Sequence, residues 1–306
     1  MKVLITGGAG YIGTELCYSL STLDIIKEII IYDNFSRANF NLFIGIQKIA
    51  NNKVRLVEGD LLDSRKLKKV VAEVDVIFHL AAKVTTPFAD QNPHLFEQVN
   101  HWGTAELVYA IESTSLEKFV FLSSVSVYGS TNAEVDVDSP INPKTFYGIS
   151  KMRGEEHVMR LFPKMQSYIV RCGNVYGYSK SMRFDAVINK FMFDANFKGR
   201  ITINGDGNQY RSFIHIDKVT SALTNILTND LKSNKFDLVD RTISVNELVD
   251  TLREIYPELE TLYVNQHLTL RDLKVKSNET MNQLITTPKA DLKEELLEFK
   301  KAFSFA

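Results

Sequence analysis

Tyr147 and Lys151 stand four residues apart where Phe146-Tyr147-Gly148 leads into a helical stretch over 149–161, so both side chains can share one helix face. A free tyrosine hydroxyl loses its proton near pH 10. A lysine ammonium beside it favours the phenolate and makes a base that works nearer neutral pH. Ser124 closes the apolar run Phe119-Val120-Phe121-Leu122, and its hydroxyl could bind the same substrate oxygen and pass a proton toward Tyr147. Ser123 is its neighbouring competitor. The chemistry these three residues suit is removal of a proton from an alcohol. Because Tyr-x-x-x-Lys also arises by chance as an exposed helix pair, the elements around it decide its meaning.

The elements at the N-terminus supply that context. Lys2-Val3-Leu4-Ile5-Thr6 is a short apolar strand that runs into Gly7-Gly8-Ala9-Gly10-Tyr11-Ile12-Gly13 and then a helix. Gly7 makes the tight turn, Gly10 lets the backbone approach a pyrophosphate, and Gly13 lets helix and strand pack closely. The helix then points its N-terminus at the anion. Asp33, about twenty residues after Gly13, closes the apolar strand Ile29-Ile30-Ile31-Tyr32 and can accept hydrogen bonds from the free ribose hydroxyls. A carboxylate there repels a 2′-phosphate and favours NAD over NADP, with nearby Arg37 leaving room for NADP. A nicotinamide ring is a second positive group that would favour the Tyr147 phenolate.

Apolar strand-like runs recur over 2–6, 28–32, 54–58, 74–81, 119–123 and 167–171, separated mostly by amphipathic, helix-length segments. The alternation predicts an α/β fold, a doubly wound parallel Rossmann sheet with a smaller, interleaved C-terminal lobe. We expect a NAD-binding domain over 1–175 and a substrate lobe over 176–306 with a soft boundary, since 167–171 is itself a sheet strand. The lobe mixes shorter elements, among them 201–204, 211–215, and helix-like 244–255 and 290–302.

With 306 residues, 44% of them hydrophobic, and a formal net charge of -1, the composition is that of an ordinary globular protein and suggests neither nucleic acid nor membrane as a partner. The longest apolar stretches are strand-length, and the N-terminus is the first cofactor strand rather than a signal peptide, so a cytoplasmic location is expected. Cys17 and Cys172 read as small buried side chains. No metal-ligand spacing exists among cysteines and histidines, and His79 and His215 read as core residues.

These motifs together resemble the extended short-chain dehydrogenase/reductase family, in the branch that modifies nucleotide sugars and includes the UDP-glucose 4-epimerases. The resemblance covers roughly residues 1 to 255. It rests on the glycine fingerprint and the Tyr147/Lys151 pair, on Asp60-Leu61, Leu80-Ala81-Ala82 and Ser124-Val125-Ser126-Val127-Tyr128-Gly129, and on Arg171-Cys172-Gly173-Asn174-Val175-Tyr176-Gly177. Gly205-Asp206-Gly207-Asn208-Gln209-Tyr210-Arg211 completes it. It implies that Ser124, Tyr147 and Lys151 are catalytic. NAD would be held by Gly7, Gly10, Tyr11, Ile12, Gly13, Asp33, Asn34, Asp60, Leu61, Leu80, Ala81, Ala82, Tyr147 and Lys151. A nucleotide-diphosphate sugar would meet Lys83, Ser126, Asn174 and Arg211, the last as a diphosphate clamp whose fork matches phosphate oxygens. Helices over 96–113 and 148–161 would pair with their copies in a homodimer.

The shared reaction of that branch is oxidation at a sugar carbon by NAD with Tyr147 taking the proton, giving a 4-keto intermediate. The sugar dehydratases of the branch carry adjacent Asp-Glu where this chain has Val125-Ser126, and fucose-synthase-like enzymes place a cysteine near Ser126 that this chain lacks. The resemblance therefore implies a 4-epimerase acting on a UDP-hexose. The alternative is a C4 ketoreductase or dehydrogenase of an activated deoxyhexose or heptose in surface-polysaccharide biosynthesis. Cys172-Gly173 and Lys83-Val84-Thr85-Thr86-Pro87 depart from the epimerase pattern, and Ser181-Met182-Arg183-Phe184 with Leu270-Arg271-Asp272 resembles the reductase and heptose-dehydrogenase relatives. A family member that only binds NAD would not need all of Ser124, Tyr147 and Lys151.

Overall fold

The computed structural model of the chain describes residues 1–45, 49–50, 52–84, 92–264 and 272–304. Thr85, Thr86, Pro87, Leu270 and Arg271, quoted above, lie outside the described residues. In chain order the first half runs β1 (Lys2–Thr6), α1 (Tyr11–Ser21), β2 (Glu28–Asp33), β3 (Val54–Glu58), α2 (Ser64–Val71), β4 (Val76–His79), α3 (Pro93–Phe96), a π-helical stretch (Glu97–Trp102), α4 (Gly103–Ile111), β5 (Lys118–Ser124), β6 (Glu134–Val135) and α5 (Phe146–Met159). The second half runs β7 (Gln166–Cys172), β8 (Asn174–Tyr176), α6 (Val187–Lys198), β9 (Arg200–Asn204), β10 (Tyr210–His215), α7 (Ile216–Thr228), β11 (Asn234–Leu238), β12 (Arg241–Ser244), α8 (Val245–Ile255), β13 (Glu260–Val264), β14 (Lys274–Val275), α9 (Glu279–Gln283) and α10 (Leu292–Lys301).

Seven strands form one sheet in the order β11-β7-β5-β4-β1-β2-β3, and every pairing in it is parallel. Because successive strand residues point to opposite faces, the alternate positions feed two cores. Val3, Ile5, Ile29, Ile31, Val120 and Val170 pack against Leu16 and Leu20 of α1 and Val219, Leu223 and Ile226 of α7. Leu4, Ile30, Ile77, Phe119, Phe121 and Ile169 pack on the other face against Leu67 of α2, Leu107 and Val108 of α4, and Val158 of α5. Burial on both faces is why these strands read as near-continuous apolar runs. A third core joins α6, α8 and α10 to β9 and β10 through Ile188, Met192, Ile201, Phe213, Leu248 and Leu296.

The seventh strand, β11, is absent from the sequence reading. Asn234-Lys235-Phe236-Asp237-Leu238 breaks the apolar pattern with charges, and Asp237 is buried only because tertiary partners receive it: the Tyr128 hydroxyl donates to both of its oxygens at 2.8 Å. Chain from both sides of residue 175 thus builds the main sheet. Helix α5 also begins earlier than the spacing predicts, at Phe146, because Thr145 Oγ1 accepts from the Gly148 N–H at 3.0 Å and caps the helix there.

The strand order reverses between β1 and β4, so the crevice beyond their carboxyl ends is where such a sheet takes a ligand. Phe78, fully buried in β4 beside it, carries the packing of that centre. Phe78→Ala should lower the free energy of unfolding by about 3 to 5 kcal/mol. A loss under about 1 kcal/mol in urea titration would contradict the tight packing claimed here.

Candidate active site

A single cleft of about 1300 Å³ opens at that crevice, and every site residue expected from the sequence lines it. The glycine turn is built for backbone approach. Gly7 sits at φ +70°, and a Cβ there would lie 2.7 Å from the backbone of Ala81. A Cβ on Gly13 would fall 2.5 Å from the Gly7 carbonyl oxygen and 2.7 Å from Gly8 Cα. At Gly10, the N-cap of α1, no side chain caps the helix, which leaves the first-turn N–H groups directed into the cleft. These are the demands of a pyrophosphate cradle.

Asp33 stands at the end of β2 with one oxygen accepting from the Ala9 N–H at 3.1 Å and the other from the Phe35 N–H at 2.9 Å. Burial raises its pKa, and the backbone donors and Arg37 oppose that shift. Beside it, Asn34 Nδ2 donates to Asp60 Oδ2 at 2.8 Å, and the Tyr32 hydroxyl donates to the Asp60 carbonyl at 2.7 Å. The Tyr11 hydroxyl donates to the Gly177 carbonyl at 2.6 Å, so this ring braces the glycine helix to the second half of the chain. The glycine cradle, the uncapped helix start and Asp33 together fit a NAD molecule.

The three candidate catalytic residues meet at the end of β5. Ser124 is the last residue of the strand, its Oγ accepts from the Ser126 N–H at 3.2 Å, and its hydroxyl is 3.1 Å from Ser126 Oγ. The helix bearing Tyr147 and Lys151 approaches this turn closely, because Gly148 leaves room that a Cβ would close to 2.6 Å from the Ser126 carbonyl. Burial pushes the Tyr147 phenol up, while the Ser124 hydrogen bond and the charge of Arg183 pull it down. Lys151 is buried, donates to the Leu122 carbonyl at 2.8 Å and lies 4.7 Å above the Phe121 ring. Burial lowers its pKa to about 7, opposed by Glu155.

Toward the substrate end, Lys83 is clamped through its backbone. Asn100 Oδ1 accepts from its N–H at 2.7 Å and Asn100 Nδ2 donates to its carbonyl at 2.9 Å and to Ser150 Oγ at 3.0 Å. Asn174 Nδ2 donates to the Ser212 carbonyl at 3.0 Å, and Arg211, the residue before Ser212 in β10, lines the same cleft. Asn100 escaped the sequence reading, since its importance comes from the π-helical turn that aims it inward, and among Glu97, Gln98 and His101 nothing in the pattern singles it out. Arg183 escaped as a site residue as well. Its Nη2 donates to the Val84 carbonyl at 3.1 Å and pairs with Asp185 at 2.7 Å.

His79 has both ring nitrogens on hydroxyls, Thr6 Oγ1 at 2.7 Å and Thr104 Oγ1 at 2.9 Å. Burial, then the nearby Lys151 charge, pushes its pKa down to about 3. His215 Nδ1 accepts from the Asp217 N–H at the start of α7. Cys17 and Cys172 are buried free thiols, pushed up to about 12 by burial.

Two outcomes follow from this geometry. Gly13→Ala should weaken NAD binding more than about tenfold by calorimetry; wild-type affinity would mean the helix need not approach the turn so closely. Because the native His79 pKa lies below its ordinary value, the unfolded chain takes up this proton as pH falls through about 6.5 while the native protein does not until about 3. Stability is lost across that window. An NMR titration should find the His79 imidazole neutral at pH 5.5, and protonation above pH 5 would refute the assignment.

Comparison with known proteins agrees with this geometry. Residues 3–238 match the model of the NAD dependent epimerase/dehydratase family. A putative UDP-glucose 4-epimerase from Methanocaldococcus jannaschii is 31% identical over 82% of this chain and 81% of its own length. The dTDP-D-glucose 4,6-dehydratase of Homo sapiens is 28% identical over 96% of this chain and 87% of its own. The UDP-glucuronic acid 4-epimerase from Bacillus cereus, solved with UDP-glucuronic acid and NAD, superposes with a TM-score of 0.86 at 22% identity over 98% of both chains, which shows the shared fold. The chain belongs to the NAD dependent epimerase/dehydratase family, in the nucleotide-sugar branch of the extended short-chain dehydrogenase/reductases, and is a NAD-dependent enzyme.

Proposed function

We propose that the protein is a nucleotide-sugar 4-epimerase acting through a 4-keto intermediate, with a UDP-hexose as substrate. The observation that carries this reading is that Ser124, at the end of β5, lines the same cleft as Tyr147 and Lys151, with Val125 and Ser126 next in the chain. A base on the sugar hydroxyl is present, and the adjacent acid pair that would eliminate water is replaced by an apolar residue and a hydroxyl. NAD bound in the cradle would supply the hydride acceptor. Tyr147 takes the C4 hydroxyl proton, Ser124 holds the same oxygen, and Lys151, fixed on the Leu122 carbonyl, is placed to bind the nicotinamide ribose. Asn174 and Arg211, across the cleft, are placed for the diphosphate, and Lys83 and Ser126 for the sugar. When the keto-sugar turns over in the cleft, C4 would take the hydride back from the reduced cofactor on its opposite face and Tyr147 would give the proton back to the C4 oxygen.

The test is incubation with UDP-glucose, UDP-galactose, UDP-glucuronic acid, dTDP-4-keto-6-deoxyglucose and GDP-heptose, following NADH absorbance and product stereochemistry together. Interconversion of C4 epimers without net NADH change supports the epimerase. Stoichiometric NADH formation or consumption replaces it with the C4 dehydrogenase or ketoreductase. Tyr147→Phe should lower turnover by about 10²- to 10⁴-fold with NAD still bound; an unaffected rate would remove Tyr147 as the base, and a wild type that turns over no sugar while binding NAD would be a NAD-binding partner rather than a catalyst.

We place the protein in the cytoplasm as a homodimer. The outward faces of the helices over 96–113 and 146–159 support the dimer, since Trp102, Tyr109 and Met159 are exposed there. Analytical ultracentrifugation at micromolar concentration should give a dimer, and a monomer would remove this assignment.

A further inference from the structure

A buried ionic cluster lies directly beneath the active site, on the α5 side of the sheet. Tyr147, Lys151 and Glu155 follow at four-residue spacing along one face of α5. Glu155 is 1% exposed, and both of its oxygens are engaged. Oε1 accepts from Ser123 Oγ at 2.5 Å and from Arg171 Nε at 3.0 Å, and Oε2 accepts from Arg171 Nη2 at 2.7 Å. All three nitrogens of Arg171 are engaged as well, because its Nη1 donates to the Tyr128 hydroxyl at 2.9 Å and that hydroxyl donates in turn to Asp237 of β11. Ser123 and Arg171 continue the strand faces of Phe121 and Ile169, which point at α5.

A buried ion pair of this kind gains little stability over well-packed apolar residues, since desolvation offsets its attraction. What it supplies is geometry: a bidentate guanidinium–carboxylate pair has one low-energy arrangement. The three chain segments it joins each lead into the cleft. Ser123 precedes Ser124, Arg171 precedes Cys172-Gly173-Asn174, and Glu155 lies one turn beyond Lys151.

We propose that Glu155 is the positioning residue of this active site, its carboxylate holding β5, β7 and α5 in one register so that Ser124, the Tyr147–Lys151 pair and Asn174 meet across the cleft. This rests on the roles given to those residues above. Glu155 does not line the cleft, and it acts through Ser123, Arg171 and the helix it shares with Lys151.

Two variants separate geometry from charge and stability. Glu155→Asp keeps the charge but shortens the side chain by one methylene, so it cannot span Ser123 and Arg171 together. The double variant Glu155→Gln with Arg171→Gln keeps the length of side chain 155 while removing both buried charges and the reach of the guanidinium. Both are read by thermal melting, NAD affinity in the absence of sugar, and kcat and KM on whichever sugar the wild type turns over. Positioning predicts that Glu155→Asp melts within a few degrees of wild type yet binds NAD roughly tenfold more weakly and loses kcat on the order of 100-fold with little change in KM. The double variant should share those losses. Wild-type NAD affinity and kcat in Glu155→Asp would overturn the proposal, as would losses that track only a lowered melting temperature in both variants. If the wild type turns over none of the sugars, the proposed reaction fails on its own, and NAD affinity still decides the role of Glu155.

Discussion

The closeness of two backbones organises this molecule. The turn after β1 meets the chain after β4 at a distance that excludes even a methyl group on Gly7, and α1 meets the same turn at a distance that excludes one on Gly13. Both contacts sit where the order of the parallel sheet reverses. Connections leave that point in opposite directions, so a crevice opens between them, floored by the N-terminus of α1. The dinucleotide site is therefore a property of topology and of missing side-chain atoms more than of any charged group.

The reactive end of the cleft depends on a second close approach, that of α5 to the turn after β5. Thr145 starts the helix, Gly148 lets it settle against Ser126, and the helix then delivers Tyr147 and Lys151 beside Ser124. Burial makes this placement matter chemically. It raises the phenol and lowers the ammonium, so both groups titrate away from their ordinary values and respond strongly to neighbours such as Ser124, Glu155 and Arg183. Pairs of titratable groups shifted by burial in a cleft are a recurring mark of catalytic sites.

Polar residues buried in the sheet layer do a different kind of work. His79 between two threonines, Asn100 between Lys83 and Ser150, and the Glu155–Arg171 pair are all saturated by hydrogen bonds. Each would be costly if unpaired, so each admits essentially one arrangement of the segments it links. Around a cleft whose chemistry depends on distances of a few ångströms, that uniqueness is worth more than the small net stability such groups supply.

The amino-acid sequence alone determined the parts whose signals are local. Six strands of the main sheet announced themselves as apolar runs, five of them because both faces are buried, and the glycine turn, Asp33, Ser124, Tyr147 and Lys151 announced themselves by spacing. Tertiary structure alone decided the rest. β11 is hidden in the sequence because its central Asp237 becomes tolerable only beside Tyr128 and Arg171, which arrive from 109 and 66 residues earlier in the chain. Asn100 gains its role from a π-helical turn that no periodicity reveals, and the Arg183 charge reaches Tyr147 only once the second half of the chain folds over the cleft. Local pattern reports how a segment meets water and its own neighbours; which distant charges end up facing one another is set by the packing of the whole sheet.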